Sequence, residues 1–443
     1  MANLKESDAK IFEIIEKEKQ RQKEGLEMIP SENYVSEPVL EAMGSILTNK
    51  YSEGYPGKRY YGGNEYIDQV EDLARDRAKE LFGVPHANVQ PYSGSPANFA
   101  VYMATCKPGD TIMGLNLLDG GHLTHGWKVS ATAIFFKSVS YHVKDDGRVD
   151  IDEVWRLVKE HKPKLIWAGA TAYPYEYEFD KFAEIADSVG AYFAADIAHV
   201  IGLIVAGAHI SPVPYAHIVT STTHKTLRGP RGGMIMVTDR GVEKDPELPQ
   251  KIDKAVFPGL QGGPHDHTTA AIAVALEEAA KSEFKEYGRQ IVKNAKALAE
   301  SLKEEGLKLV ADGTENHLIL VDLTGFGPGK GVFVEKALDA ARITVNKNTI
   351  PKDPSSPFYP SGIRLGTPAL TTRGMKESDM IQIGKWIAQV ANESAVTDLP
   401  DDKKLRAKAV REFENGLSNN PTIKQVGEEV KTLATKFPVP GIE

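Results

Sequence analysis

The sequence predicts an α/β protein whose larger part is a mostly parallel sheet covered by helices on both faces. Between about Val89 and Thr238, short apolar runs alternate with helical patterns, the signature of repeated strand–helix crossovers. Gly83 and Gly190 stand where two of those helices need a left-handed C-terminal residue. The 443 residues are 41% hydrophobic and 26% charged, which excludes a disordered, collagen-like or coiled-coil chain and leaves length for two or three domains.

Taken in order, Ser7 caps a first helix that runs to about Gly25. Ile11, Phe12, Ile14 and Ile15 make one end apolar, and residues 16–24 are almost all charged or amide, so that end is solvated. Two readings stand for this arm: packing on a partner subunit, or a plain surface helix. Strands are predicted at 111–115, 165–169, 191–195, 217–220 and 233–237, and helices at 67–82, 96–106, 151–161 and 181–189. A long helical region covers about 268–305, Ala-rich first and charged later, like a helix that leaves a core to bridge domains. Past Gly306 a smaller α/β unit follows. It has strands at 307–310, 318–321 and 362–366, a helix at 332–341, and closing helices at about 376–392 and 402–416.

Lys and Arg number 53 against 61 Asp and Glu, a net charge of −8. With its positive charges scattered, such a chain is a poor nonspecific nucleic-acid binder, yet a few placed cations and backbone N–H groups still hold one phosphate. Cys106 is the only cysteine, which excludes an intrachain disulfide and a cysteine metal cluster. No apolar run approaches the ~20 residues of a membrane span. MANLKESDAK lacks the apolar core of a secretory leader, so a cytoplasmic location is expected.

Chemistry concentrates in four places. Ser221-Thr222-Thr223-His224-Lys225-Thr226 follows an apolar strand and runs into a Gly229-Pro230-Arg231-Gly232-Gly233 turn. A lysine there forms a Schiff base with an aldehyde once burial or positive charge lowers its pKa; alone, it reads as a surface loop lysine. Asp196 ends the strand at 191–195, in the crevice where open α/β sheets bind ligands, with His199 three residues on; its plain reading is a helix N-cap. About one helix and one strand separate Asp196 from Lys225, so the two strand ends can face one site. Ser93-Gly94-Ser95-Pro96-Ala97-Asn98 precedes an apolar helix, with Ser95 as N-cap and Pro96 as first helical residue. Its donors on a positive helix end make a phosphate site, or simply an ordinary capped helix. The glycine-rich run at 325–331 holds a Gly-Lys without a following Ser or Thr, so it is not a Walker-type loop. In Gly120-Gly121-His122-Leu123-Thr124-His125-Gly126 a flat imidazole can stack on a ring. Metal binding is the competing reading there, and no acidic or Cys partner stands at ligand spacing, so no metal is expected.

A phosphate cradle, a strand-end Asp, a Schiff-base Lys and a stackable His jointly match pyridoxal 5′-phosphate. That cofactor has a phosphate, a pyridine nitrogen that pairs with a carboxylate, an aldehyde and a ring face. Along nearly its whole length the chain resembles the serine hydroxymethyltransferase family. The matching stretches are Pro30-Ser31-Glu32-Asn33-Tyr34, LTNKYSEGYPGKRYYGG at 47–63, the segments at 93–98, 120–126, 196–203 and 222–233, FPGLQGGP at 257–264, the segment at 346–348, and SGIRLGTPA at 361–369. The Tyr- and Gly-rich stretch and Thr-Thr-His-Lys-Thr are the most specific; other enzymes of this cofactor fold share only the Asp and Lys.

The resemblance implies an α/β fold of the pyridoxal-phosphate aminotransferase type. A large domain has a mixed, mostly parallel seven-stranded sheet, joined by a smaller C-terminal α/β domain and an N-terminal helical arm, at 51–284, 285–443 and 1–50 respectively. It implies reversible transfer of the serine hydroxymethyl carbon to tetrahydrofolate or a related pterin, giving glycine and 5,10-methylenetetrahydrofolate, in a homodimer or tetramer with shared sites. By the same resemblance Lys225 holds the cofactor as a Schiff base, Asp196 pairs with the pyridinium nitrogen and His122 stacks on the ring. Ser93, Gly94 and Ser95 bind the phosphate with Gly263 from a neighbouring subunit, Thr222 also contacts the cofactor, and His199 and Thr171 bond near the ring hydroxyl. Arg364 receives the substrate carboxylate, with Ser31 and Tyr61 beside the amino acid. Tyr51 and Glu53 come from the partner, Glu53 as proton shuttle at the hydroxymethyl oxygen. Thr226 and His224 flank the lysine, His224 bearing on specificity. Leu117, Gly121, His122, Leu123, Tyr60, Asn348, Ser356, Pro357 and Phe358 line the folate site.

Four positions depart from the family pattern: Pro30, where alanine is common; Thr171, a frequent serine; Tyr175, a usual arginine; and Ile201, a usual small residue. None removes a catalytic group. Two other functions stand at this point: a folate-independent aldolase of 3-hydroxy amino acids on the same fold, and a catalytically silent homologue acting as a binding subunit.

Overall fold

The computed structural model describes residues 3–442. Contacts divide the chain into two compact units. One joins the residues up to Tyr34 with Lys293–Gly313 and the chain from Leu318 onward; the other holds Val35–Val292 and Thr314–His317.

The N-terminal arm is two helices rather than one, α1 (Leu4–Ser7) and α2 (Ala9–Glu24). Asn3 and Glu6 cap α1 reciprocally, and the Asp8 carboxylate accepts the Ile11 N–H at 3.1 Å. The cap of the long helix is therefore Asp8, and Ser7 is the last residue of the short one. A carboxylate caps as well as a hydroxyl and adds negative charge at the positive helix end, which sets the break there. The arm is solvated as predicted through Arg21, but Glu24 is buried and paired with Arg342 and Lys431, each at 2.9 Å.

In the larger unit, α3 (Glu65–Phe82) and the helix Phe179–Val189 end on Gly83 and Gly190 at φ 64° and 70°, the left-handed caps the sequence predicts. Between them come α4 (Gly94–Thr105) and α5 (Ile151–His161), and Phe179–Val189 is α6. The seven strands are β1 (His86–Asn88), β2 (Thr111–Leu115), β3 (Lys137–Tyr141), β4 (Leu165–Ala168), β5 (Tyr192–Asp196), β6 (Ile218–Thr222) and β7 (Gly233–Val237). They lie in the order β1-β7-β6-β5-β4-β2-β3. Strands β2 to β6 are parallel, and β7 runs antiparallel to β6 and β1, the mixed, mostly parallel seven-stranded sheet expected. Every residue of β4, β6 and β7 is buried, because helices cover both faces. The sequence pattern reveals neither edge. β3 reads Lys-Ser-Val-Ser-Tyr, polar as an edge strand is free to be, and β1 has only three residues.

The predicted helix at 268–305 is broken into α7 (Asp266–Ala279) and α8 (Ser282–Glu304). At the break the ladder tightens to three-residue bonds, Lys281 N–H to Glu278 O and Phe284 N–H to Lys281 O, each 3.2 Å. Ser282 heads the second helix, a position serine favours over a helix interior.

The smaller unit has an antiparallel sheet of β8 (Lys308–Leu309), β9 (Leu318–Asp322), β10 (Asn346–Asn348) and β11 (Gly362–Gly366), in the order β8-β9-β11-β10. Its helices are α9 (Gly331–Ala340), α10 (Glu377–Ser394), α11 (Lys403–Leu417) and α12 (Pro421–Ala434). The last is a helix beyond the two predicted to close the chain. Its start was legible: Asn420 caps the Ile423 N–H at 3.1 Å, and Pro421 follows. The core is apolar, with Leu298, Ile319, Val321, Leu338, Ile363, Ile387, Val426 and Val430 all buried. Lys330 of the Gly-Lys turn is buried and bound to Thr397 O at 2.7 Å and Asp398 at 3.2 Å, a structural lock. No helix among the described residues is long and apolar enough to cross a membrane.

Candidate active site

β5 and β6 are parallel neighbours, so Asp196 and Thr222 come out at the same sheet edge, with Lys225 three residues beyond. Asp196 is embedded in donors. Its Oδ2 accepts from Asn98 Nδ2 at 2.8 Å and His125 Nε2 at 3.1 Å, and its Oδ1 from the Ala198 N–H at 3.1 Å. Burial pushes its pKa up, but the His125 hydrogen bond and charge, with His122 and Lys225, outweigh burial and hold it well below the usual carboxylate range. His125 is itself fixed by stacking on Trp167, centroids 4.9 Å apart and planes 9° apart.

The same network orients His122. Asn98 accepts from Thr220 Oγ1 at 2.7 Å and donates to Thr124 Oγ1 at 2.9 Å; the Thr124 N–H donates to His122 Nδ1 at 3.3 Å, so Nδ1 is an acceptor and accepts from the Thr124 hydroxyl at 2.7 Å as well. This network assigns the His122 proton to Nε2. Burial, helped by His125, pushes the His122 pKa down to about 4, so a neutral flat ring is presented. Sequence patterns single out neither Asn98 and Thr124 nor His125, Trp167 and Thr220. The available signals were an amide one turn into an apolar helix and a second histidine in the glycine loop.

At the other end of the site, α4 begins at Gly94 with Ser93 as the cap residue, not at Pro96 with Ser95 as cap. The Ala97 N–H reaches Ser93 O at 3.1 Å. Pro96 is harmless one turn in, because the first N–H groups of a helix have no intrahelical acceptor. A Cβ on Gly94 would lie 2.8 Å from Thr222 Cγ2, so glycine is needed for this approach. The Thr222 Oγ1 is buried and without a hydrogen-bond partner. A lone buried hydroxyl beside a helix N-terminus fits an anionic oxygen, the phosphate end of the expected cofactor. Ser95 is exposed on the same turn.

The glycine loop carries Leu117 and Leu123 on two short turns, Leu117–Asp119 and Leu123–His125. Gly120 has φ 100°, and a Cβ there would lie 2.3 Å from Ala172 O. The Thr171 N–H bonds Gly120 O at 2.7 Å and its hydroxyl bonds Gly121 O at 2.8 Å, clamping the loop. His199 follows Asp196, and its carbonyl accepts from the Thr226 hydroxyl at 3.0 Å. His224 is pushed down to about 3 by burial, Lys225 and Arg231. Of the departures, Ile201 is fully buried and Tyr175 nearly so, its hydroxyl donating to Asp146 O at 2.6 Å.

A second cluster forms in the same unit. The Tyr51 and Tyr61 rings meet edge-on at 5.0 Å, Glu53 lies against Gly262, Tyr51 against Gly263, and the Tyr92 hydroxyl donates to Gly263 O at 2.7 Å. Tyr51, Tyr60 and Tyr61 are 57%, 81% and 43% exposed, unusual for three adjacent aromatics and open to a partner surface.

Arg364, Ser31, Asn348, Ser356, Pro357 and Phe358 belong to the smaller unit. Arg364 is buried in β11 opposite Asn346, whose Oδ1 accepts its Nε at 3.0 Å. Burial lowers its pKa to about 10, against the charge of Glu32, so it stays cationic at neutral pH. Asn348 pairs with Gly362 in register, and Phe358 is 80% exposed.

The fold removes one ground on which a metal was set aside. Ligating atoms of His122, His125 and Asp196 lie within 4.8 Å of one another. What favours the organic cofactor is the rest of the site: an amine one turn past a strand end, an unpartnered hydroxyl at a helix N-terminus, and a carboxylate held ionised.

Neutral buried histidines give the protein a pH dependence. His122 and His217 are lowered to about 4 and His224 to about 3, burial being the largest cause for each. Below ~6.5 the unfolded chain binds protons that the folded one refuses, so stability is full above that pH and is lost as pH falls toward 4. The loss is on the order of a few kcal/mol. His209 and His265, also lowered by burial, act with them, while Glu27, pushed up to about 8, and Glu71, Asp119, Asp266 and Glu335, raised chiefly by burial, act in the opposite sense. Urea midpoints should fall steadily from pH 7 to 4.5; a flat or rising profile contradicts the neutral assignment.

Sequence comparison gives the same family. The serine hydroxymethyltransferase family profile matches residues 4–387. A serine hydroxymethyltransferase of Acidothermus cellulolyticus is 54% identical over 444 aligned residues, covering 100% of this chain and 98% of the relative. One of Sorangium cellulosum is 52% identical over 440, covering 99% and 97%. On the family match across the fold and the near-complete alignment to both relatives, this chain belongs to the serine hydroxymethyltransferase family.

Proposed function

We propose that this chain carries out the family reaction with Lys225, Asp196 and His122 at its centre, Arg364 as carboxylate receiver, and Tyr51 and Glu53 supplied by a second copy. That reaction moves the serine hydroxymethyl carbon reversibly to tetrahydrofolate, giving glycine and 5,10-methylenetetrahydrofolate, and depends on pyridoxal 5′-phosphate. The single observation that carries the assignment is the Asp196 carboxylate, little exposed yet held ionised chiefly by His125, with Asn98 donating to the same oxygen.

Pyridoxal phosphate, when bound, supplies an aldehyde that condenses with amines and a ring that draws electron density from the amino-acid Cα. Asp196 keeps the proton on the ring nitrogen, and the neutral His122 ring offers a stacking face. Ser93, Gly94 and Ser95 at the start of α4, with the Thr222 hydroxyl, bind the phosphate, joined by Gly263 of the second copy. Lys225 provides the amine, and His199 and Thr171 bond at the ring hydroxyl. Arg364 grips the substrate carboxylate with its fork, Ser31 and Tyr61 lying beside the amino acid. Glu53 moves the proton at the hydroxymethyl oxygen, and neutral His224 bears on substrate choice. Leu117, Gly121, Leu123, Tyr60, Asn348, Ser356, Pro357 and Phe358 line the folate site; the exposure of Leu123, Tyr60 and Phe358 supports this, since a flat co-substrate needs open apolar surface.

The exposed Tyr51, Tyr60 and Tyr61, and Ile11, Ile14 and Ile15 on the arm, support at least a homodimer; the cytoplasm is the location proposed for it. Mixing Lys225→Ala with Glu53→Gln subunits under exchange should restore part of the activity neither has alone, because one site of each mixed dimer is intact. A fully active monomer, or exchanged subunits that recover nothing, contradicts shared sites.

A further inference from the structure

The segment Thr314–His317 precedes β9 in sequence, yet by its contacts it belongs to the larger unit. It is fastened there closely. The Glu315 N–H donates to Pro174 O at 2.8 Å, and its carboxylate accepts from the Glu176 N–H at 2.8 Å and from Arg148 Nη2 at 2.7 Å. Asn316 Nδ2 donates to Tyr173 O at 3.0 Å. Arg148 in turn lies over the Tyr175 ring, 3.9 Å from its centroid. This fastening delivers His317, fully buried, to His199, with His317 Nε2 and His199 Nδ1 3.2 Å apart.

Two imidazole nitrogens at that distance share one proton, so one ring donates and the other accepts. If His317 donates, His199 Nδ1 is bare and its own proton sits on Nε2. If His199 donates, its Nε2 is bare. The two cases present opposite groups at the outer edge of His199, a donor or an acceptor. A negatively charged ring oxygen is stabilised by the first and repelled by the second.

We propose that His317 is a positioning residue: it donates from Nε2 to His199 Nδ1 and so fixes His199 as the Nε2–H tautomer that donates to the cofactor ring hydroxyl oxygen. This rests on the role of His199 given under the proposed function. A partner on the far nitrogen of a functional histidine commonly sets its tautomer and ring angle.

The test is nitrogen-15 NMR of histidine-labelled holoenzyme, with His199 and His317 signals assigned from His199→Gln and His317→Gln. The expected result is a protonated His199 Nε2, an unprotonated His199 Nδ1, and scalar coupling across the hydrogen bond to His317 Nε2. A proton on His199 Nδ1 overturns the proposal. Cofactor release gives a second measurement. His317→Phe removes the donor at similar volume and should speed release about tenfold, the worth of one bond to a charged group. His317→Gln retains an amide donor and should recover most of that loss. Unchanged release in His317→Phe, or equal losses in both variants with unaltered melting, overturns it too. If His317→Phe does not fold, the NMR of the unmutated protein still decides. Uptake of pyridoxal phosphate by the unmutated protein tests the underlying function separately, so a wrong tautomer in a loaded protein sinks only the positioning role.

Discussion

Lys225→Ala is expected to abolish turnover, by about three orders of magnitude or more, while leaving the fold intact. The turn that presents the lysine is held by other groups. The Thr223 N–H reaches Gly232 O at 3.2 Å, the Gly229 N–H reaches Thr223 O at 2.7 Å, and the Thr223 hydroxyl reaches Pro230 O at 2.6 Å. The backbone carbonyl of the lysine, which accepts the Arg228 N–H at 3.1 Å, survives truncation. What disappears is the amine, and with it a positive charge that lowers the pKa of Asp196, His122 and His224. Cofactor should then bind without a covalent link, and product should remain on it. The check is steady-state serine cleavage with tetrahydrofolate alongside thermal melting. Substantial multiple turnover by a folded variant would contradict the assignment.

Arg364→Ala should raise the serine requirement while cofactor uptake persists. The guanidinium is buried and cationic, with Asn346 fixing its Nε, and its planar fork suits a carboxylate. Truncating one partner of a buried charge pair costs ~2–5 kcal/mol, which is about thirtyfold to several thousandfold in the Michaelis constant. The proposed phosphate and ring contacts use none of Arg364, so the cofactor dissociation constant should hold. An unchanged Michaelis constant for serine would assign the carboxylate to another group.

The parts of the fold legible in the sequence are those set by local pattern. β2, β7 and α5 fall where periodicity puts them, because a strand buried on both faces is a near-continuous apolar run and an amphipathic helix repeats every turn. The failures come where two local signals compete or where the signal is tertiary. Asp8 outcompetes Ser7 as a cap one residue away, and Ser282 ends a ladder that apolar spacing alone would continue. β3 gives no apolar signal because an edge strand needs none.

The site divides the same way. Lys225, Asp196 and the segment at 93–98 stand at strand and helix ends, where sequence alone places chemistry. Their support does not. Asn98 meets Asp196, and His317 meets His199, across about a hundred residues of chain, and neither pairing leaves a local motif. Asn98 alone looks like a helix residue and His317 like the residue before a strand.

The most direct test of a single cofactor site around Lys225 and Asp196 is borohydride reduction of the loaded protein, then digestion and peptide mass mapping. The predicted result is one added pyridoxyl phosphate group per chain, on the peptide that carries Lys225. Reduction onto a different lysine, or an active protein that takes up no label, would contradict it.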